Sequence, residues 1–181
     1  MNKSQIRNKI IKLRKKKFDK DLKINSVKFI SFLKRGQLNL GNIGGYYPSN
    51  YEIDDLDILD LLEKKNFKVS LPIIKKDRQM NFYRWSRNDP LKISKFGIPE
   101  PISSNILYPD ILLIPLVAYD SQLNRLGYGG GYYDRYIEKC EKIKKVIKIC
   151  LAFSFQKISK IPTNQYDKRL DFIITEKEIL R

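Results

Sequence analysis

Residues 125–131 read Arg-Leu-Gly-Tyr-Gly-Gly-Gly, between an apolar run and a helical stripe, and few folds accommodate that order. The run from Ile111 to Tyr119 is apolar and β-branched and predicts a buried strand. Pro115 within it is an objection, because proline suits an edge or a bulge. Asp120, Ser121, Gln122 and Asn124 predict a polar turn. From Tyr132 onward, Tyr133, Tyr136, Ile137 and Cys140 fall at helical spacing. Strand, glycine loop and helix start in succession suit an anion, because the first helical amides lack internal partners and the helix dipole adds positive charge. Gly127, Gly129, Gly130 and Gly131 are expected to take positive φ and lie close to a ligand. Arg125 and Arg135 bracket the loop with guanidinium groups that fork onto phosphate, and Asp134 supplies a carboxylate able to hold magnesium beside it. The competing reading is a Tyr-Gly connector or an RNA-contacting loop. No Gly-Lys-Ser/Thr follows, so this is not a Walker loop.

Composition narrows the chemistry. In 181 residues with a hydrophobic fraction of 42%, one α/β domain over residues 1–181 is expected, with room for a sizeable core. The net charge of +16 favours anionic partners, but most of it is lysine spread along the chain, as on a solvated surface. There is no histidine, which excludes Ser-His-Asp and Cys-His catalysis and histidine metal sites. Two cysteines, Cys140 and Cys150, are wrongly spaced for a zinc knuckle or a redox pair, so any metal must be held by oxygen. Free thiols and the lack of a secretory signal pattern predict a cytoplasmic protein, and no apolar run approaches a membrane span.

In chain order, a basic helix is expected over about Ser4 to Asp19, capped by Ser4, with Ile6, Ile10, Leu13 and the stem of Lys17 as its stripe. Lys3, Arg7 and Arg14 fall along one border of that stripe. A second helix is expected from Ser26 to Lys34, closed by Gly36. A short strand is expected within Leu38 to Tyr47, and a third helix over Asp54 to Lys65 with Leu56, Leu59 and Leu62 inward and Asp54, Asp55 and Asp57 in its first turn. Phe67 to Ile74 predicts a strand. Met80, Phe82, Tyr83 and Trp85, interleaved with Arg78, Arg84 and Arg87, predict an edge hairpin or a surface that stacks bases or a pterin. Val146 to Phe153 is of the doubly buried type, and Asp171 to Glu176 closes as a short strand. Strands alternate with helices throughout, which predicts a largely parallel sheet with helices on both faces and a ligand site beyond the strands' carboxyl ends.

Arg125 to Arg135, RLGYGGGYYDR, resembles the signature of the 5-formyltetrahydrofolate cyclo-ligases, also called 5,10-methenyltetrahydrofolate synthetases. Lys3-Ser4-Gln5-Ile6-Arg7 is similar to that family's opening Lys-x-x-Leu-Arg, Tyr51-Glu52-Ile53-Asp54 to its folate-binding segment, Gly97 to Pro101 to its Gly-x-x-Glu-Pro turn, and Leu170-Asp171 to its Val-Asp pair. The resemblance implies a Rossmann-like three-layer α/β/α sandwich and ATP-dependent closure of 5-formyltetrahydrofolate to 5,10-methenyltetrahydrofolate, with ADP and phosphate released. It implies an ATP site at Lys3, Arg7, Arg125, Leu126, Gly127, Tyr128, Gly129, Gly130, Gly131, Tyr132 and Tyr133. It implies a folate site at Tyr47, Glu52, Tyr128, Gly129, Gly130, Gly131 and Tyr132, with Arg125 and Tyr132 at the reacting atoms. Magnesium would be held by Asp134 and Asp171. A monomer acting on a small molecule is expected, with the positive surface suited to polyglutamylated folate. A basic nucleic-acid-binding module and an inactive folate- or nucleotide-binding relative are the alternatives.

Overall fold

Ile111, Leu112, Leu113 and Ile114 are all fully buried, odd residues under one face and even residues under the other, and they form the central strand β7 (Ile111–Ile114). The computed structural model describes residues 1–19, 21–38 and 41–181. β1 (Asn42–Gly44) and β10 (Ile147–Leu151) flank β7 in parallel. β2 (Lys68–Ile74) lies beyond β1 and β11 (Phe172–Ile174) beyond β10, again in parallel. The margins are antiparallel: β3 (Met80–Arg84) and β6 (Ile106–Leu107) on one side, β12 (Ile179–Leu180) on the other. The eight-stranded order is β12-β11-β10-β7-β1-β2-β3-β6.

Helices cover both faces, as the alternation of elements predicts. α2 (Ser26–Arg35) and α3 (Leu56–Glu63) place Phe29, Leu33, Leu59 and Leu62 against Ile43, Ile111 and Leu113. α4 (Tyr132–Glu141) covers the other face with Tyr136, Ile137 and Cys140 against Leu112, Ile114 and Cys150. α1 (Lys3–Lys17) packs Ile6 and Ile10 on a small ribbon made by β8 (Ala118–Tyr119) and β9 (Arg125–Leu126). A second hairpin pairs β4 (Leu91–Ile93) with β5 (Pro99–Pro101).

Several expectations are corrected. The apolar run is two strands, because Pro115 ends β7 and the chain re-pairs as β8 with β9, so the glycine loop follows a hairpin. Asn2, not Ser4, caps α1, in a capping box with Gln5. α3 starts after Asp55, which is buried instead of facing solvent in the first turn. The strand expected within Leu38 to Tyr47 is Asn42–Gly44, and residues 39–40 of that stretch lie outside the described residues. Met80, Phe82, Tyr83 and Trp85 are buried within and beside β3, so the segment offers no aromatic face for stacking bases. An ordinary sheet hairpin accounts for the segment.

Candidate active site

The glycine loop separates two adjoining chambers at the carboxyl ends of the parallel strands. One, of about 530 Å³, is walled by Tyr46, Tyr47, Pro72, Ile74, Met80, Phe96, Ile98, Pro115 and the loop's Tyr128 to Tyr133, with Glu52 as a carboxylate in its lining. The other, of about 580 Å³, is polar and lined by Lys3, Arg7, Arg125, Leu126, Gly127, Asp134, Arg135, Glu138, Asn164, Tyr166 and Asp167. Gly129, Gly131 and Asp134 line both. Each volume is in the range of small-molecule sites.

Local chemistry sets the loop. Gly131 caps α4 at φ 65°, and Gly129 stands at φ 103°, while Gly127 and Gly130 do not take positive φ. Two of the four expected left-handed glycines are therefore present. Helix α1 grips the loop at Gly127, whose carbonyl accepts from Arg7 Nε at 2.8 Å. Arg135 grips the loop from the other end, donating to the Gly130 carbonyl at 2.6 Å and to the Arg78 carbonyl at 3.1 Å.

In the polar chamber, buried Arg125 donates from Nη2 to Asp134 Oδ1 at 2.6 Å and from Nη1 to the Lys168 carbonyl at 2.5 Å. Its guanidinium thus fixes Asp134 as much as it faces the cavity. Lys3 Nζ lies 2.7 Å from Asp167 Oδ2. Among the described residues, one oxygen of Asp134 takes both of that group's bonds, from Arg125 and the Lys168 amide. Likewise one oxygen of Asp167 takes its bonds, from Lys3 and the Asn164 amide. The second oxygen of each carboxylate takes no hydrogen bond among the described residues. No group of three or more metal-ligating side chains occurs among the described residues. Two carboxylates facing a cationic cavity fit a magnesium ion that also takes phosphate oxygens, but not an all-protein metal cage.

In the apolar chamber, Glu52 is placed by a strained turn in which Asn50 and Tyr51 take φ 47° and 60°. The turn returns the carboxylate inward, where Oε2 accepts from the Ser49 amide at 2.8 Å and Oε1 from the Tyr128 hydroxyl at 2.8 Å. Burial pushes the Glu52 carboxyl up from its ordinary value, and the Ser49 amide, Arg14 and Tyr128 oppose that rise. Burial likewise raises the Tyr128 phenol, which stays protonated and donates.

The expected residues sort between the chambers. Lys3, Arg7, Arg125, Leu126, Gly127, Gly129 and Gly131 line the polar one as expected of an ATP site. Tyr128, Gly130, Tyr132 and Tyr133, also expected there, line only the apolar one. All the expected folate residues, Tyr47, Glu52 and Tyr128 to Tyr132, line the apolar chamber. Arg125 and Tyr132, expected together at the reacting atoms, line opposite chambers. Asp171 is corrected: it lines neither and accepts from the Lys148 amide at 2.7 Å, with Lys148 Nζ at 3.5 Å bridging it to Glu141 at the far end of α4. Its position at the amino end of β11 keeps it from Asp134, in the first turn of α4. Asp167, four residues earlier, is the second carboxylate of the cavity, and its only sequence signal was its place beside Asp171. The wall from Ser94 to Glu100 was also missed as a site element, although its Gly-x-x-Glu-Pro turn was visible.

Comparisons with known proteins identify relatives of this chain. A model of the 5-formyltetrahydrofolate cyclo-ligase family matches residues 1–176. A 5-formyltetrahydrofolate cyclo-ligase of Haemophilus influenzae is 35% identical over 133 residues, 70% of this chain and 71% of that protein. One of Mycoplasma genitalium is 32% identical over 155 residues, covering 85% and 82%. The solution structure of Aquifex aeolicus 5,10-methenyltetrahydrofolate synthetase superposes with a TM-score of 0.80 at 29% identity, over 100% of this chain and 93% of that one. The 5,10-methenyltetrahydrofolate synthetase of Mycoplasma pneumoniae gives 0.73 at 26% identity, over 97% and 99%. With its sequence matched from the first residue to Glu176 and its fold aligned to those enzymes over nearly the whole chain, the chain belongs to the 5-formyltetrahydrofolate cyclo-ligase family.

Proposed function

We propose that the protein catalyses ATP-dependent cyclisation of 5-formyltetrahydrofolate to 5,10-methenyltetrahydrofolate, as one catalytic unit over residues 1–181. The observation that carries this reading is the pair of chambers sharing the glycine loop, one apolar with a buried carboxylate and one cationic. The pterin enters the apolar chamber with its N–H edge toward Glu52, between the walls of Tyr47, Phe96 and Tyr132. The triphosphate lies in the polar chamber against Lys3, Arg7, Arg135 and the loop amides. Tyr166, largely exposed at that cavity, offers a face on which a purine can stack. Asp134 and Asp167 would hold a magnesium ion, which would supply neutralisation of phosphate charge.

In this arrangement the formyl oxygen meets the γ-phosphorus at Gly129 and Gly131, where the two chambers join. The oxygen attacks phosphorus and ADP leaves. N10 then closes on the activated carbon, loses its proton, and phosphate departs. Such a reaction needs placement and charge neutralisation more than a strong side-chain base, which suits a chain without histidine. Arg125 acts by holding Asp134, and Tyr132 by walling the folate.

No helix among the described residues is long and apolar enough to cross a membrane. The free thiols of Cys140 and Cys150 favour a reducing compartment, so we place the enzyme in the cytoplasm, as a monomer. The positive surface suits a polyglutamate tail, and a KM for polyglutamylated substrate that does not change with salt would remove that suggestion.

The test is appearance of the methenyl chromophore with protein, magnesium-ATP and 5-formyltetrahydrofolate. Product that requires ATP is expected. Folded protein that binds both ligands without turnover would leave the inactive relative as the reading.

A further inference from the structure

On helix α1 the buried stripe runs Ile6, Ile10, Arg14, four residues apart, so an arginine occupies a core position. Arg14 is only 1% exposed, the largest fully buried side chain among the described residues. The sequence placed Leu13 in that stripe and Arg14 at its border, yet Leu13 is only partly buried. The guanidinium carries a buried Nε without a hydrogen-bond partner among the described residues, an arrangement that costs stability.

Its other nitrogens are committed. Nη1 donates to the Leu116 carbonyl at 3.1 Å, just past the end of β7, and Nη2 donates to the Tyr128 hydroxyl. A guanidinium only donates. The Tyr128 oxygen must therefore accept from it, and the phenol proton is directed to Glu52 Oε1. With Glu52 as a carboxylate, the chain Arg14 to Tyr128 to Glu52 has a single polarity. With Ser49 donating to Oε2, Glu52 is held at both oxygens by groups of the chamber's own wall, and its remaining lone pairs are left for a ligand.

We propose that Arg14 is a positioning residue for folate: through Tyr128 it orients the Glu52 carboxylate toward the N–H edge of the pterin. This rests on the reading of the apolar chamber as the folate site. The Ser49 amide and the Tyr128 hydroxyl also favour the charged form of Glu52, whereas three neighbouring acidic groups disfavour it. Asp55 on the following segment, Tyr46 at the end of the β1 stretch and Tyr133 of α4 all feel its charge as repulsive to their own ionised forms. Burial itself pushes the Glu52 carboxyl up, and Arg14 is the cation that opposes it. Helix α1 thus serves both chambers, with Lys3 and Arg7 in the polar one and Arg14 behind the apolar one.

The experiment measures binding of 5-formyltetrahydrofolate without ATP, as a function of pH, for wild type, Arg14→Met, Arg14→Lys and Tyr128→Phe. Arg14→Met is expected to weaken folate binding by about ten- to a hundredfold near neutral pH, the loss of a charge-assisted hydrogen bond. Its binding should recover toward alkaline pH, because the acid limb moves to higher pH as Glu52 loses its cation. Arg14→Lys, which keeps the charge, should restore part of the affinity and return the limb toward wild type. Tyr128→Phe should shift the limb in the same direction, and the double variant should lose little more than either alone. Affinity for magnesium-ATP should stay within about twofold of wild type throughout, since a residue outside that chamber acts on it only weakly. Equal weakening of both ligands with an unmoved limb would overturn the proposal and leave Arg14 a structural residue. If Arg14→Met does not fold, Arg14→Lys and Tyr128→Phe decide by the same limb. Wild type that fails to bind the folate would instead remove the reading of the chamber.

Discussion

Lys3 Nζ lies 2.7 Å from Asp167 Oδ2, joining the first turn of α1 to a loop 164 residues away at the mouth of the polar chamber. This ion pair brings a second carboxylate to the cavity that holds Asp134, whereas Asp171 stays with Lys148. Asp134→Asn and Asp167→Asn are therefore each expected to raise the magnesium concentration for half-maximal activity by at least roughly tenfold. Asp171→Asn should leave that concentration unchanged and cost about 0.5–1 kcal/mol of stability through its half-exposed link to Lys148. Magnesium titrations of the three variants, beside urea denaturation, separate the roles.

Arg125 spends both terminal nitrogens, on Asp134 and on the Lys168 carbonyl, while nearly buried. A lysine reaches only one of these partners and cannot reproduce the fork. Arg125→Lys should lose about 2 kcal/mol of stability and raise the magnesium concentration for half-maximal activity, in parallel with Asp134→Asn. A chemical denaturation curve with a magnesium titration checks both.

Gly127 and Gly129 differ although both line the polar chamber. Gly129 stands at φ 103°, and a Cβ there would lie 3.3 Å from the Arg7 guanidinium carbon. Gly129→Ala should cost on the order of 1–3 kcal/mol and disturb the loop. Gly127 has an ordinary φ and nothing within 4 Å of an added Cβ. Gly127→Ala should change stability by under about 0.5 kcal/mol, with any effect confined to the KM for ATP. Melting temperatures and ATP kinetics distinguish the pair.

Asp55 is fully buried, with Oδ2 accepting from the Tyr46 amide at 3.1 Å and Oδ1 without a partner among the described residues. Burial holds its carboxyl well above the usual range, with the charges of Asp54 and Glu52 adding to the rise. The folded state therefore keeps a proton that the unfolded chain releases, so stability is fully present below the ordinary carboxylate pKa and is lost as pH rises through the folded value. Asp55→Asn, which cannot ionise, should melt at or above wild type near neutral pH, with the gap closing on acidification toward pH ~4. Thermal melts across that range check the sign.

Much of this protein was legible in its sequence. The doubly apolar runs at Ile111 and Ile147 specify buried parallel strands, and the inward stripes of α2, α3 and α4 follow from local periodicity. The glycine loop between Arg125 and Arg135 and the helix after it were legible because glycine and helical spacing act through neighbours close in sequence. Pro115 was legible as an objection, but its effect, ending β7 and freeing β8 to pair with β9, depends on a partner strand.

Three things were decided only by the tertiary structure. Asp167 enters the site because Lys3 pulls its loop onto α1, and the sequence has no signal linking residues so far apart. Arg14 is buried because Tyr128 and Leu116 arrive from other parts of the chain to accept its bonds, so helical spacing alone reads it as a border charge. The division of the loop into two faces arises from backbone direction at Gly129 and Gly131. Local pattern fixes which elements form and which faces are apolar, whereas a buried charge is stable only where distant groups converge to satisfy it.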